Sequence, residues 1–253
     1  MDLPSRTLPD LRRILRVVCN REAKAKPLRS DIISAIRDCQ RGKKIEVVKP
    51  PSPASLIPEA ARRRLLEILD GLAWDVYAIK GEKNTRTMAR ESGGSLVLGA
   101  TKGVPSSRGF DYIRGNKAFN LTIVTNRARR DERDLLELWH TLKELVRSVD
   151  PAYHFSSIQI NKNFAGTPHI DRNDVHYQYA LSLGEFEGGD LVVSTDDPYL
   201  YVQHETHNRL TKCDGRHPHW VTRRTGGDRY SLIMYDITGE WRPRLSNIPG
   251  ATP

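Results

Sequence analysis

Gly227-Asp228-Arg229-Tyr230-Ser231-Leu232-Ile233-Met234-Tyr235 reads as a turn running into a strand. Side chains two apart on an extended chain share a face, so Arg229, Ser231 and Ile233 point the same way. The same period-two alternation recurs upstream in short pieces at 156–161, 177–183, 191–194, 199–202 and 219–221, and the run itself continues to 237. Gly, Pro and Asp turns separate the pieces. Many short strands with such turns predict a sandwich or jelly roll.

Further upstream the period changes. From Asp131 to Val149, apolar residues fall at Leu135, Leu138, Trp139, Leu142, Leu145, Val146 and Val149, the stripe of an amphipathic helix with an acidic first turn. Strand-like runs are expected at 75–79, 95–100 and 118–125, and a helix over Glu59 to Asp70 buries Leu65, Leu66 and Leu69. Residues 43–58, with Pro50, Pro51, Pro53 and Pro58, form a stiff connector. Before it, residues 1–42 carry two short helical stripes, Leu8, Leu11, Ile14, Leu15, Val18 and then Leu28, Ile32, Ile33, Ile36, with Ser30 and Asp31 as N-cap candidates. Ringed by Arg12, Arg13, Arg16, Arg21, Lys24 and Lys26, this pair resembles the SAP helix-extended-helix module that binds DNA; a plain helical cap is the alternative. The expected organisation is α+β: a small basic helical segment (1–42), a Pro-rich linker (43–58), and one domain (59–253) with a jelly-roll core and flanking helices.

The bulk properties set bounds. A chain of 253 residues holds one main core, and its mean hydropathy of −0.55 suits a globular protein. Forty Lys and Arg against 31 Asp and Glu give a net charge of +9, which favours polyanionic partners such as nucleic acid. Cys19, Cys39 and Cys213 are too few and too odd for a disulfide framework and point to a reducing, intracellular compartment, the nucleus if the source is eukaryotic. Residues 1 to 13 lack the apolar core of a signal peptide, and no stretch approaches the ~18 apolar residues of a membrane span, so no membrane role is expected.

The chemistry gathers between residues 167 and 231. His169 and Asp171 flank Ile170 and share a strand face, so both can reach one metal. Downstream come the turns Gly188-Gly189-Asp190 and Asp214-Gly215, then His219, then Arg229 ten residues later. Two imidazoles and one carboxylate leave three positions of an octahedral metal open, the ligand set of non-haem Fe(II) oxygenases; a structural zinc would be closed by four ligands. The guanidinium of Arg229 is a planar fork suited to a carboxylate, and the Ser231 hydroxyl can add a third hydrogen bond. His217 competes with His219, because both would face one way on a strand. His204, His207, Cys213 and His217 form an alternative zinc set, with spacings that match no strong finger pattern; His154 and His176 read as ordinary edge residues.

Gln159-Ile160-Asn161-Lys162-Asn163, Pro168-His169-Ile170-Asp171-Arg172-Asn173-Asp174, Leu183 to Leu191 and Gly227-Asp228-Arg229-Tyr230-Ser231 together resemble the 2-oxoglutarate/Fe(II) dioxygenase superfamily, and within it the Tet/JBP-like branch, over about residues 95 to 240. The resemblance implies a double-stranded β-helix. It makes His169, Asp171 and His219 the iron ligands, Arg229 with Ser231 the 2-oxoglutarate clamp, and Asn161 and Asn163 pocket residues facing the cosubstrate. Prolyl-hydroxylase-like members usually have lysine where Arg229 stands, and AlkB-type enzymes carry a second arginine where this chain has Tyr235. Animal members of the Tet branch carry a Cys-rich zinc-binding run, and this sequence contains none. A related algal enzyme uses ascorbate in place of 2-oxoglutarate, so ascorbate stands as an alternative cosubstrate.

For the substrate, the branch implies the methyl group of 5-methylcytosine or thymine in DNA, with O2 as oxidant. Such a base must leave the stack to reach a buried metal, which calls for a basic groove and a stacking pocket. Arg127, Arg129, Arg130, Arg223 and Arg224 are the candidate phosphate contacts; Tyr177, Tyr179, Tyr199, Tyr201 and Trp220 are candidate stacking groups, although core packing is the favoured reading of each tyrosine taken singly. Two other classes stay open: a hydroxylase of a protein or small molecule with the same iron site, and a metal-free DNA-binding module.

Overall fold

In a computed structural model of the chain, the described residues are 11–12, 33, 46–50, 54–74, 93–99, 112–114, 117–119, 126–166, 168–197 and 199–247. The expected strand at 75–79 and nearly all of the expected N-terminal helical pair lie outside them.

Helix α1 (Glu59–Gly71) starts directly after Pro58, whose fixed φ suits a helix entry, and buries Leu65, Ile68 and Leu69. Glu59 in its first turn pairs with Arg62 at 2.7 Å. Helix α2 (Asn126–Val149) buries Leu135, Leu138, Leu142, Leu145 and Val146 along one stripe. It begins five residues before Asp131, so Asn126, Arg127, Arg129 and Arg130 occupy its opening turn, which is not acidic. The apolar stripe reports only the packed part of a helix, and that is why the sequence reading started it late. Arg64 of α1 reaches Glu137 of α2, with Nη2 2.6 Å from Oε2.

The strands are β1 (Glu46–Val48), β2 (Gly94–Gly99), β3 (Tyr112–Arg114), β4 (Lys117–Phe119), β5 (Ser157–Lys162), β6 (Gln178–Gly188), β7 (Leu191–Ser194), β8 (Leu200–His204), β9 (Thr211–Cys213), β10 (His219–Val221) and β11 (Arg224–Tyr235). They form a major sheet in the order β4-β3-β2-β5-β11-β6-β9 and a minor sheet in the order β1-β8-β7-β10. All pairings are antiparallel except β1 with β8, so the chain is α+β with a jelly-roll core. Strand β1 lies inside the expected linker, where Val47 and Val48 favour extension ahead of Pro50. Strand β9 was not foreseen.

Register decides what each face of the major sheet meets. Leu96, Leu98, Ile158, Ile160, Leu181, Leu183, Leu232 and Met234 alternate onto one face and pack with the buried stripes of both helices in a single core. The opposite face carries Ser95, Gln159, Asn161, Ser231, Arg229 and Ser182 at matched register positions. That polar face looks toward the minor sheet, because Ala180 and Cys213 of the major sheet pack against Leu191 and Val193 of the minor one. Pairing of His219 with Val193 therefore turns the His219 ring into the space between the sheets. The helices close the apolar side of the sandwich and leave its interior polar.

Candidate metal centre and anion pocket

Residues on both sides of Ile170 run beside β10 and are joined to it by one antiparallel bridge, His169 N–H to His219 O at 3.0 Å and His219 N–H to His169 O at 2.9 Å. Bridged partners project to the same side, and the two imidazole centroids lie 4.1 Å apart. Two residues on, the Asp171 N–H donates to Gly215 O at 2.8 Å, which brings its carboxylate to the same spot. His219 Nε2 lies 3.4 Å from Asp171 Oδ2, and His169 Nε2 lies 3.7 Å from Asp171 Oδ1. One donor atom from each of the three residues lies within 4.8 Å of the others, and no other such group of His, Cys, Asp and Glu occurs among the described residues. Cis ligand atoms on one metal at about 2.1 Å sit about 3 Å apart, and the two separations from Asp171, 3.4 and 3.7 Å, lie close to that spacing, so the three side chains could hold a metal ion on one face.

The surroundings suit a cation. The Nδ1 of His219 donates to the carbonyl of His217 at 2.9 Å, which fixes the tautomer and leaves the Nε2 lone pair facing Asp171. Burial pushes the Asp174 carboxyl up to about 8, with a smaller contribution from the negative charges of Asp171 and Asp214. His217 departs from expectation. It lies in the turn before β10 and does not share a face with His219; its Nε2 meets Leu245 O at 2.8 Å, away from the cluster.

Gly215, which the sequence marks only as part of a turn, is a steric constraint on the cluster. A Cβ there would stand 2.7 Å from Asp171 Oδ2 and 2.6 Å from Gln178 Nε2. Gly215→Ala is expected to push the carboxylate off the triad and weaken metal binding by about tenfold, as disturbances just outside a ligand shell do, with an unchanged far-UV spectrum. Titration with a divalent ion checks this; an affinity equal to the wild type would show that Asp171 has room to spare.

Arg229 is 3% exposed and has no carboxylate partner among the described residues. Its Nη2 donates to Gly189 O at 3.1 Å, its Nε has no hydrogen-bond partner, and its guanidinium lies 5.6 Å from the Phe186 ring centre. Burial lowers its pKa to about 10. Gly189, at φ +70°, allows this approach, since a Cβ would fall 2.9 Å from Arg229 Nε. A buried cation with an idle donor is costly unless paired, and an anion entering the space between the sheets could pair it. Ser231 shares the face and meets Asn161 Nδ2 at 3.5 Å; Asn161 in turn accepts from Ser95 at 2.7 Å and Gln159 at 3.0 Å. On the facing minor sheet, His204 pairs with Leu191 and so points inward, its Nε2 buried and unpartnered, its pKa lowered to about 4 by burial.

No family model and no curated protein matches this chain. Solved structures do. NgTET1 in complex with 5mC DNA is 18% identical, with 75% of this chain and 72% of that chain covered and a TM-score of 0.39. An oxidoreductase of the 2OG-Fe(II) oxygenase family from Burkholderia pseudomallei is 16% identical, with 76% and 88% covered and a TM-score of 0.44. A Pseudomonas putida prolyl-4-hydroxylase is 17% identical, with 73% and 90% covered and a TM-score of 0.42.

Other expected site residues fall elsewhere. Asn163 does not share the Asn161 face, because the chain turns there at φ +57°; its amide instead accepts from Arg229 N–H at 2.9 Å and donates to Asp228 at 2.6 Å, holding the backbone of β11. Tyr177 and Tyr179 lie at the helix-facing side with both hydroxyls on Asp150, at 2.6 and 2.9 Å. Tyr201 and Trp220 pack together at 5.0 Å on the outer face of the minor sheet, opposite to His219. Tyr199 leads into β8 with its N–H on Asp197 at 2.9 Å. Within the zinc set, His207 bonds to Gly184 O at 2.9 Å and Cys213 is buried with its thiol pushed up by that burial, so the four side chains do not converge. Arg223 is exposed in the turn joining β10 to β11 and Arg224 is half-buried as the first residue of β11; Arg127, Arg129 and Arg130 lie at the start of α2.

Proposed function

We propose that this chain is an Fe(II)- and 2-oxoglutarate-dependent dioxygenase that hydroxylates the methyl group of a pyrimidine base, 5-methylcytosine or thymine, in DNA. One observation carries the reading: an open facial set of His169, Asp171 and His219 shares a polar interior with the buried, unneutralised Arg229. When bound, the iron with 2-oxoglutarate and O2 supplies the oxidation, converting a C–H to C–OH while the oxoacid becomes succinate and CO2.

The protein's part is placement. Asp171 contributes the charge that two neutral imidazoles lack, and the His217 carbonyl holds His219 in its ligating tautomer. Arg229 and Ser231 take the distal carboxylate of the cosubstrate; its charge relieves the buried guanidinium, so this anion is selected over neutral solutes. The packed helices cover the far side of the major sheet, away from its polar face.

DNA as substrate is supported by the net charge of +9 and by exposed Arg223 three residues past the end ligand's neighbour Trp220. Replacing Arg223 and Arg224 together by Ala is expected to weaken DNA binding and reduce the slope of log affinity against log salt by about 2, one per phosphate contact, in a fluorescence titration. An unchanged slope removes them from the interface. The reading as a whole is tested by incubating the protein with Fe(II), 2-oxoglutarate, ascorbate and methylated DNA and measuring oxidised nucleosides and succinate together. Succinate without a modified nucleoside would leave the oxygenase and move the substrate to a protein or small molecule; neither product would remove the enzyme.

A further inference from the structure

The structure assigns a positioning role to the segment 241–247, which locks the turn Asp214–His217 against both Asp171 and His219; this rests on the metal reading above. The turn touches two of the three ligands. Gly215 O accepts the Asp171 N–H at 2.8 Å and the Asp171 carboxylate occupies the space a Cβ at Gly215 would take, while His217 O accepts Nδ1–H of His219 at 2.9 Å. Left alone, a four-residue turn rich in polar groups would not hold either partner to a few tenths of an ångström.

What holds it is a buried ion pair and the strap wrapped over it. Arg216 and Asp214 side chains are 1% and 0% exposed and meet as a fork, Nε to Oδ1 at 2.8 Å and Nη2 to Oδ2 at 2.6 Å. The remaining donors of Arg216 go to backbone carbonyls: Val175 at 3.1 Å, Arg242 at 2.7 Å and Pro243 at 3.0 Å. The strap answers in kind. Leu245 N–H donates to Asp214 Oδ2 at 2.9 Å, Leu245 O receives His217 Nε2 at 2.8 Å, and Asn247 Oδ1 accepts Asp214 N–H at 3.1 Å while its Nδ2 ties to Ser194 O at 3.1 Å in β7.

A buried pair of this kind adds little stability over an apolar replacement of equal volume, because desolvation offsets the attraction. Its distinctive property is direction: a guanidinium with every N–H engaged fixes the relative positions of the carbonyls it binds. Here those carbonyls belong to the strap and to Val175 on the segment leading from Asp171 into β6. The ligand turn is thus fixed by chain segments that never reach the metal.

The test titrates full-length protein anaerobically with Co(II), whose visible d–d absorption reports ligand geometry, alongside far-UV circular dichroism and thermal midpoint measured without metal. Asn247 sits at φ +55°, so Asn247→Gly removes the amide without backbone strain. It is expected to weaken Co(II) binding by about tenfold and alter the absorption envelope with the fold intact. Tyr153→Phe serves as comparison: it deletes the hydroxyl bonds to Tyr177 O (2.9 Å) and Met234 O (3.0 Å) on the helix side, and should lower the thermal midpoint without changing Co(II) affinity. Wild-type Co(II) affinity in Asn247→Gly, or an equal weakening in Tyr153→Phe, overturns the positioning role while leaving the metal centre in place. A wild-type protein that binds no Co(II) overturns the metal reading and this inference with it.

Discussion

Exchanging Arg229 for methionine is expected to raise the thermal midpoint of the ligand-free protein and at the same time abolish its affinity for 2-oxoglutarate. The two effects have one cause. The guanidinium is almost fully buried, its Nε has no hydrogen-bond partner, and it forms no ion pair within 4.0 Å among the described residues, with Asp190 acting on it only from a distance. Burial takes its pKa from 12.5 down to about 10, a displacement worth roughly 3 kcal/mol against the folded state. Because the folded value is the lower one, the penalty is present in full below pH 10, where both states are protonated, and fades only as pH rises through that value. The stabilisation by methionine should therefore be flat across the neutral range. Methionine fills similar volume with flexible apolar atoms. Loss of a bidentate, charge-assisted contact removes at least about a hundredfold in affinity for the dicarboxylate. Calorimetric unfolding and isothermal titration measure the pair; a lower midpoint with 2-oxoglutarate binding intact would mean that Arg229 is a structural residue satisfied within the fold.

Asp214→Ala should have the opposite sign. It strands Arg216 as an uncompensated buried charge and frees Leu245 N–H, at an expected cost of about 3–5 kcal/mol, a third or more of the whole stability of many domains. Burial pushes the Asp214 carboxyl up, and the hydrogen bonds from Arg216 and Leu245 outweigh it, so its pKa lies below the ordinary value. The stability it contributes is present above the unfolded carboxylate pKa and is lost as pH falls through the folded one. Urea unfolding at neutral and acid pH should show wild type and Asp214→Ala converging at the acid end. A loss below about 1 kcal/mol at neutral pH would mean that the pair is not the anchor of the turn.

The parts legible in the sequence were those written in local period. Arg229 and Ser231 sit on one strand and the Leu135 to Val146 stripe on one helix, so alternation and 3.6-residue spacing found their faces. The strand containing Arg229 begins earlier than its apolar pattern, at Arg224, because the register slips between Gly226 and Arg229 and a bulge has no apolar signature. Asn163 misled because alternation was carried one residue beyond the end of β5. Tyr177 and Tyr179 take the core-packing role that their alternation favours; the acid that binds their hydroxyls, Asp150, lies 27 and 29 residues away and has no local signal. Gly215 and the pair Asp214 and Arg216 were invisible for the same reason: their value lies in contacts with Asp171, Leu245 and Asn247, which no local pattern announces. His204 alternates inward with Val202, and that signal was present and unused. Among the described residues no helix is long and apolar enough to cross a membrane.

In the proposed site His169, Asp171 and His219 hold one ferrous ion, and Arg229 grips the cosubstrate beside it. Anaerobic titration of the full-length protein with Fe(II), repeated with 2-oxoglutarate present and again on Asp171→Ala, tests it most directly. The account predicts one Fe(II) per chain in the wild type, tighter when 2-oxoglutarate is added, and none retained by Asp171→Ala. Wild-type protein that takes up no iron, or Asp171→Ala that takes it up equally well, would contradict it.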